Sequence, residues 1–150
     1  MKTTTIFTTR TTLNECSKGL EFVSNGDGTC AVSGIGTCTD INVKIPSVYD
    51  GKIVTSISAY AFRGCKSLTS ITIPDSVVSI GRFAFLDCTS LTSVTIPDSV
   101  TSIGWGAFFS CRSLVSVTIP DSVTSIGKCA FYGCTSLQNI TTGNGISLEF

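Results

Sequence analysis

The sequence contains no histidine and few charged residues. Its 150 residues include 10 Lys or Arg and 10 Asp or Glu, which make up 13% of the chain and give a formal net charge of zero. This share is about half of that in an average soluble protein. Without histidine, the chain lacks the side chain that most often serves as a general base near neutral pH or as a zinc ligand. Without clustered Lys and Arg, it lacks the footprint of a nucleic-acid-binding protein, and we predict no nucleic-acid partner.

Long apolar runs are absent as well. The longest, such as 105–109, fall far short of the ~20 residues that a membrane-spanning helix needs, so we predict no membrane span. Residues 1–10 are rich in Thr and lack the apolar core of a secretory signal peptide. Lys2 and Arg10, without an acidic residue between them, leave a transit peptide open as an alternative. We favour a flexible polar lead over residues 1–18.

What the sequence has in abundance is repetition. The stretch 67–77 returns almost unchanged at 90–100 and at 113–123, with an offset of 23 residues each time. A unit this short cannot bury an apolar face alone and must stack on copies of itself. We therefore predict one domain over 19–150, with a cap at 19–56 and repeats at 57–79, 80–102, 103–125 and 126–148.

Each repeat contains one clear strand. Within 91–96, Val94 and Ile96 alternate with Ser93 and Thr95, which predicts a strand with one apolar and one polar face. Stacking the repeats in register gives a parallel sheet with strands ~4.8 Å apart. The apolar residues of successive repeats then form continuous columns in a narrow core.

Bends separate the extended pieces of each repeat. Pro97 ends the strand, because proline lacks the N–H that the ladder needs. Gly104 permits a second bend, and 105–110 reads as a short helix or 3₁₀ turn. Upstream of the repeats, 20–23 and 29–32 flank a Gly-rich turn, which predicts an N-terminal β-hairpin.

The repeat has the form Ile-Gly-x-x-Ala-Phe-x-x-Cys-x-Ser-Leu, followed after one variable residue by Ser-Val-Thr-Ile-Pro-Asp-Ser-Val. These residues resemble the BspA-type (Treponema-type) leucine-rich repeat family, strongly over 57–140 and more weakly back to Gly19. The resemblance implies a curved, right-handed solenoid of 23-residue coils with short helical or 3₁₀ turns and no catalytic centre. It also implies adhesion to proteins or cells, and it alone suggests an extracellular or cell-surface location.

The eight cysteines fall into two groups. Four occupy equivalent positions in the repeats, namely Cys65, Cys88, Cys111 and Cys134. Because these side chains share one direction, we predict a ladder of structural thiols, although the ~4.8 Å rung spacing alone does not exclude a disulfide. The other four, whose redox state we leave open, are Cys16, Cys30, Cys38 and Cys129.

Neither metal binding nor catalysis has support in the sequence. Among the cysteines off the ladder, Cys30 and Cys38 flank a short loop and could form a cap disulfide in an oxidising compartment. Cys129 and Cys134 are the one close pair, which is too few for a zinc site without histidine. No Ser or Thr has an activating base nearby, so we predict no enzyme activity, cofactor or metal.

Two surfaces are candidates for a ligand. The first is the polar strand face, which carries Ser70, Thr72, Ser93, Thr95, Ser116 and Thr118. The second is a set of positions in the bends where the residue changes from coil to coil, which comprises Arg82, Phe83, Trp105, Phe109, Lys128 and Tyr132. Trp, Tyr and Arg are the residue types enriched at binding hot spots.

Our first hypothesis for function is a non-enzymatic interaction module that binds a protein or glycan through these surfaces. The alternative is a structural segment of a longer repeat array, with a role in spacing or assembly. An ice-binding role is disfavoured, because Ser replaces Thr in one column of the strand face.

Overall fold

The protein is a β-solenoid in which successive coils stack on one another. The computed structural model describes residues 16–143, 145, 146 and 148, and the prediction of a flexible lead falls mostly on residues outside this part. The strands are β1 (Glu21–Ser24), β2 (Thr29–Gly34), β3 (Asn42–Lys44), β4 (Val48–Tyr49), β5 (Lys52–Ile57), β6 (Ser70–Thr72), β7 (Ser79–Ile80), β8 (Ser93–Thr95), β9 (Ser102–Ile103), β10 (Ser116–Ile119), β11 (Ser125–Ile126) and β12 (Asn139–Thr142).

Each coil contributes one strand to each of two sheets. The first sheet has the order β1-β2-β5-β7-β9-β11, with β4 also paired to β5, and the second has the order β12-β10-β8-β6-β3. Between repeats the strands are parallel and in register, so that Ser93 pairs with Ser70 on one side and with Ser116 on the other. The predicted stacking of 23-residue coils is confirmed.

The space between the two sheets is filled by the apolar columns of the repeat. Val94 and Ile96 are buried, whereas Ser93 and Thr95 are exposed, as the alternation predicts. The largest fully buried side chains are three stacked phenylalanines, Phe62, Phe85 and Phe108, each 0% exposed. The rings of Phe85 and Phe108 lie 5.1 Å apart and nearly parallel, at 3°.

The segments that connect the first sheet to the second contain no helix among the described residues. In the first repeat, four-residue turns follow one another, with Ala61 N donating to Ser58 O at 3.2 Å and Cys65 N donating to Phe62 O at 3.2 Å. Tyr60 has a φ of 61°, which interrupts any right-handed helix. The short helix or 3₁₀ turn expected here is therefore a run of separate turns.

These turns are hydrogen-bonded from coil to coil. The N–H groups of Tyr60 and Phe62 donate to the carbonyls of Arg82 and Ala84 in the next coil, at 3.1 and 2.7 Å. The same pattern recurs in later coils, where Phe83 N donates to Trp105 O at 2.9 Å. The bends thus form a third hydrogen-bonded side of the solenoid, in addition to the two sheets.

Gly104 is needed because neighbouring coils approach closely. Its φ is not positive, so the bend itself does not require glycine. A Cβ at this position would lie 2.5 Å from the backbone nitrogen of Arg82 in the preceding coil. The glycine that the sequence analysis assigned to a bend is therefore a packing position.

The N-terminal hairpin is present. Strands β1 and β2 pair antiparallel, with an irregularity between Glu21 and Phe22, and β2 pairs parallel with β5 of the first coil. Ser17 N donates to Lys44 O at 2.9 Å, and Lys44 N donates to Ser17 Oγ at 2.9 Å. The described part of the chain contains no helix that is long and apolar enough to cross a membrane.

Candidate functional site

Three of the four repeated cysteines bridge neighbouring coils through their thiols. Cys88 Sγ donates to Phe62 O at 3.0 Å, Cys111 Sγ to Phe85 O at 3.1 Å and Cys134 Sγ to Phe108 O at 3.1 Å. All eight cysteines are free thiols. The prediction of a structural ladder is confirmed for these three cysteines, with the phenylalanine carbonyl of the preceding coil as the acceptor.

The central thiols of the ladder are chemically quiet. Burial raises the pKa of Cys88 to about 12. A hydrogen bond with Cys134, together with burial, raises the pKa of Cys111 well above its usual range. Since the thiolate is the nucleophile and metal ligand, thiols that remain protonated at neutral pH are poor reactive groups. These side chains serve the fold.

Cys38 is a further member of the ladder, which corrects its assignment outside it. Cys38 N donates to Ile35 O at 3.0 Å, just as Cys65 N donates to Phe62 O at 3.2 Å. The sequence concealed this equivalence, because Cys38 precedes its strand by one residue fewer than Cys65 does. Cys30 has a different environment and donates to Lys52 O at 3.8 Å.

The described residues contain no group of three or more Cys, Asp or Glu side chains placed to hold a metal ion.

The polar strand face is present as a regular array of side chains. Its pairs are in register along β6, β8 and β10, and the Thr side chains are exposed. At its edge, Ser70 Oγ donates to Asn42 Oδ1 at 2.7 Å. This face carries hydroxyl groups without aromatic side chains.

The bends carry a continuous cluster of aromatic rings with Phe83 at its centre. The Phe83 ring is stacked on Tyr60 at 5.3 Å and 21°, and it meets Trp105 edge to face at 4.8 Å and 70°. Farther along, Phe109 lies 6.3 Å from Phe83 and stacks on Tyr132 at 4.9 Å. Four predicted site residues from three different coils are thus brought together.

Arginine side chains border this cluster at its N-terminal end. The guanidinium carbon of Arg82 lies 5.7 Å from the centroid of the Tyr60 ring, and that of Arg63 lies 5.8 Å away. Arg82 Nη2 also donates to the Tyr60 hydroxyl at 3.5 Å. Lys128 is exposed, and its carbonyl accepts a hydrogen bond from Gly106 N at 3.0 Å.

Tyr60 and Arg63 were missing from the predicted site. Both occupy the same variable columns of the repeat as the predicted residues, in its first copy. We name the whole group the turn surface, which consists of Tyr60, Arg63, Arg82, Phe83, Trp105, Phe109, Lys128 and Tyr132. Tyr60, Trp105 and Tyr132 are 38%, 43% and 51% exposed.

One column of the turn surface has a strained backbone. Tyr60, Phe83, Gly106 and Cys129 have φ values of 61°, 54°, 59° and 58°. This left-handed conformation costs a residue other than glycine about 1–3 kcal/mol. At Gly106 the absence of a Cβ also makes room for a ring, because a Cβ there would lie 2.7 Å from Phe83 Cε1. The Phe83 ring therefore occupies the space that a side chain at position 106 would fill.

Charge is segregated between the two sides of the solenoid. The bends at 58–68, 81–91, 104–114 and 127–137 hold five basic residues and one acidic residue, Asp87. The basic residues are Arg63, Lys66, Arg82, Arg112 and Lys128, and all five are exposed. The Pro-Asp turns on the other side hold Asp75, Asp98 and Asp121 and no basic residue. The aromatic cluster therefore lies on the positive side.

These features define a solenoid repeat protein with an aromatic and basic surface on its bends. The chain belongs to the BspA type leucine rich repeat family, since the model of that repeat region (6 copies) matches residues 55–148. The resemblance seen in the sequence is confirmed. No curated protein matches the chain.

Solved structures of other leucine-rich repeat proteins are similar to this chain. A leucine-rich repeat protein from Bacteroides capillosus is 32% identical with a TM-score of 0.76, and the match covers 83% of this chain and 94% of that one. The leucine-rich repeat protein of T. pallidum is 30% identical with a TM-score of 0.66, over 82% and 68% of the two chains. A leucine rich cell surface protein from Faecalibacterium prausnitzii is 32% identical with a TM-score of 0.57, over 86% and 40%.

Proposed function

We propose that this protein is a non-enzymatic interaction module that binds an acidic segment of a partner protein through the turn surface. The observation that carries the proposal is that exposed aromatic rings and a net positive charge lie together on one side of the solenoid. Interfaces concentrate binding energy in Trp, Tyr and Arg, and complementary charge adds specificity and speeds association.

The arrangement of the rings favours a protein over a glycan. Tyr60 stacks on Phe83, and Phe109 stacks on Tyr132, so these rings cover part of each other's faces. A sugar ring that stacks on an aromatic residue needs a free face. Ring edges beside guanidinium groups suit carboxylates flanked by apolar side chains, because guanidinium groups bind carboxylates with two parallel hydrogen bonds.

The test uses a labelled peptide of alternating Glu and Leu, and a matched peptide with Gln in place of Glu. We expect the acidic peptide to bind more tightly, with an affinity that falls as NaCl rises from 50 to 300 mM, because exposed charges are screened. Trp105→Ala should weaken binding at least ~10-fold, and Arg82→Ala about 3- to 10-fold, since hot-spot truncations cost more than 1 kcal/mol.

Thr95→Ala, on the exposed strand face, is the matched control and should leave the affinity unchanged. Thermal melting of each variant checks that the fold is intact. The proposal fails if Trp105→Ala and Arg82→Ala bind as the parent does. It also fails if a neutral oligosaccharide binds while the acidic peptide does not.

A second candidate function is a structural segment in a longer repeat array. The observation that favours it is that Ile126, Leu137 and Ile140 are only half-buried, whereas the equivalent Ile103, Leu114 and Val117 are at most 2% exposed. A further coil stacked on this end would cover them. A reading frame that continues the 23-residue repeat, and an unaltered assembly state in Trp105→Ala, would support this function over the first.

A further inference from the structure

Cys38 and Cys65 differ from the rest of the thiol ladder in their surroundings. Both line an open groove of about 510 Å³ between the cap and the first repeat. Cys88, Cys111 and Cys134 each donate to a phenylalanine carbonyl. Among the described residues, neither Cys38 nor Cys65 has a side-chain hydrogen bond of this kind. Their sulfur atoms are therefore not committed to bridging coils.

The two cysteines lie on neighbouring rungs. Val43 pairs with Ile71, and the turns that precede these strands place Cys38 and Cys65 at equivalent positions. Rungs of a parallel sheet are ~4.8 Å apart, which is within the Cα separation of about 4.4–6.8 Å that a disulfide spans. The two thiols also influence each other electrostatically, since burial and the neighbouring Cys38 raise the pKa of Cys65.

The groove also offers a docking place for an anionic reagent. Arg63 and Lys66 line it beside Cys65, and Asp40 is the one acidic residue among its lining side chains. Cys65 is more exposed than Cys38, which is 9% exposed. An incoming disulfide therefore meets Cys65 first, and its carboxylates would face two cations.

We propose that Cys38 and Cys65 form a redox-active dithiol that closes to a disulfide by exchange with a small anionic disulfide such as glutathione disulfide. The thiolate of Cys65 attacks one sulfur, which gives a mixed disulfide and releases one glutathione thiolate. The thiolate of Cys38 then attacks the Cys65 sulfur and expels the second glutathione thiolate. The two cysteine protons go to the released thiolates, so two electrons pass from the protein to glutathione.

Closure would tie the N-terminal cap to the first repeat. The bond would enclose the segment 39–64, which includes β3, β4 and β5. A disulfide around a loop of this length restricts the unfolded chain, so we expect the oxidised protein to melt about 5–10 °C higher than the reduced one. The raised pKa of Cys65 means that closure proceeds slowly at neutral pH and faster at alkaline pH.

The experiment equilibrates the full chain with mixtures of reduced and oxidised glutathione, blocks free thiols with N-ethylmaleimide and digests with trypsin. Cleavage after Lys18 and Lys44 releases 19–44, and cleavage after Arg63 and Lys66 releases 64–66. We expect a disulfide-linked pair of these two peptides by mass spectrometry. Because 19–44 also contains Cys30, the pair must persist in Cys30→Ser and vanish in Cys38→Ser.

Cys88→Ser is the matched control within the ladder and should still form the linked pair. The melting-temperature difference between oxidised and reduced protein should disappear in Cys38→Ser, while the reduced variant still melts cooperatively. A disulfide between Cys30 and Cys38 would overturn the proposal. So would a glutathione adduct on Cys65 that Cys38 never displaces, or peptides 19–44 and 64–66 that remain unlinked at every ratio.

Discussion

Two groups of aromatic residues run along this solenoid, one in the core and one on the turn surface, and they differ in ring geometry and in residue type. The inner column consists of Phe62, Phe85, Phe108 and Phe131, whose rings lie 5.1 to 5.3 Å apart at angles of 1° to 4°. In the turn surface, the rings are 4.8 to 6.3 Å apart at angles of 21° to 70°. Identical residues occupy the inner column, whereas the rings of the turn surface differ in type and come from three variable columns of the repeat.

The difference shows that identical residues are required in successive coils only where the side chain is buried. A buried ring packs between two copies of itself, so any change in size leaves a cavity or a clash in both neighbouring coils. A ring on the bends has solvent on one side, and its neighbours can rearrange. The residues that vary are therefore free to suit a partner, whereas the residues that repeat are constrained by the stack.

The largest expected effect separates the two groups directly. Phe108→Ala should lower the free energy of unfolding by about 3–5 kcal/mol, because it opens a cavity in a narrow core. Its sequence neighbour belongs to the turn surface, so Phe109→Ala should cost only about 0.5–1.5 kcal/mol through lost ring contacts. Urea unfolding at constant slope measures both. Equal losses for the two variants would contradict the distinction.

A smaller effect on stability concerns the pH dependence that arises from the buried thiol of Cys88. Cys88 has a folded pKa of about 12 against 9.0 for a free thiol, so its proton is lost first from the unfolded chain as the pH rises. Its contribution to stability is complete below pH 9 and is lost between pH 9 and 12. By pH 10 the loss from this group should reach about 1.4 kcal/mol.

The measurement compares unfolding free energies at pH 7 and pH 10 for the parent and for Cys88→Ala. The variant should lose less stability between the two pH values, although it is less stable at pH 7. An identical loss in both proteins would mean that the pKa of Cys88 is the same in the folded and unfolded states.

The smallest expected change in stability concerns the strained backbone of the turn surface. Phe83→Gly relieves the left-handed strain but removes the ring contacts with Tyr60 and Trp105, so the two effects, each about 1 kcal/mol, should nearly cancel. Phe83→Ala keeps the strain and loses the same contacts. We expect the alanine variant to be about 1 kcal/mol less stable than the glycine variant by urea unfolding. If the alanine variant is the more stable one, the strain at this position is not real.

The architecture was largely predictable from the sequence, because the spacing of apolar residues in each repeat shows which side chains enter the core. Alternation predicts that Val94 points inward and Ser93 outward, and it also predicts the hairpin before the first coil. The 23-residue period predicts the ladder of Cys88, Cys111 and Cys134. Sequence reasoning did less well where spacing changes. The ladder position of Cys38 was missed, since one fewer residue separates it from its strand.

The candidate site was only partly predictable. The variable columns contained Tyr60 as well as Phe83 and Trp105, but the predicted site left Tyr60 out, because its role depends on the ring stacked against it from the next coil. Gly104 was interpreted as a bend, although the approach of a neighbouring coil is what excludes a side chain there. Contacts between residues 22 or 23 positions apart decide both cases.

By itself the sequence determined that identical units stack in register and which side chains enter the core, since hydrophobic period and burial are local properties of each repeat. Only the tertiary structure decided which exposed residues meet. It replaced the expected short helix or 3₁₀ turn with separate turns, which contain residues of positive φ and donate N–H groups to the next coil. It also placed the Phe83 ring in the space that a side chain at Gly106 would fill. It also set Cys38 beside Cys65 in one groove. These outcomes depend on backbone geometry between coils, which the period of a sequence does not specify.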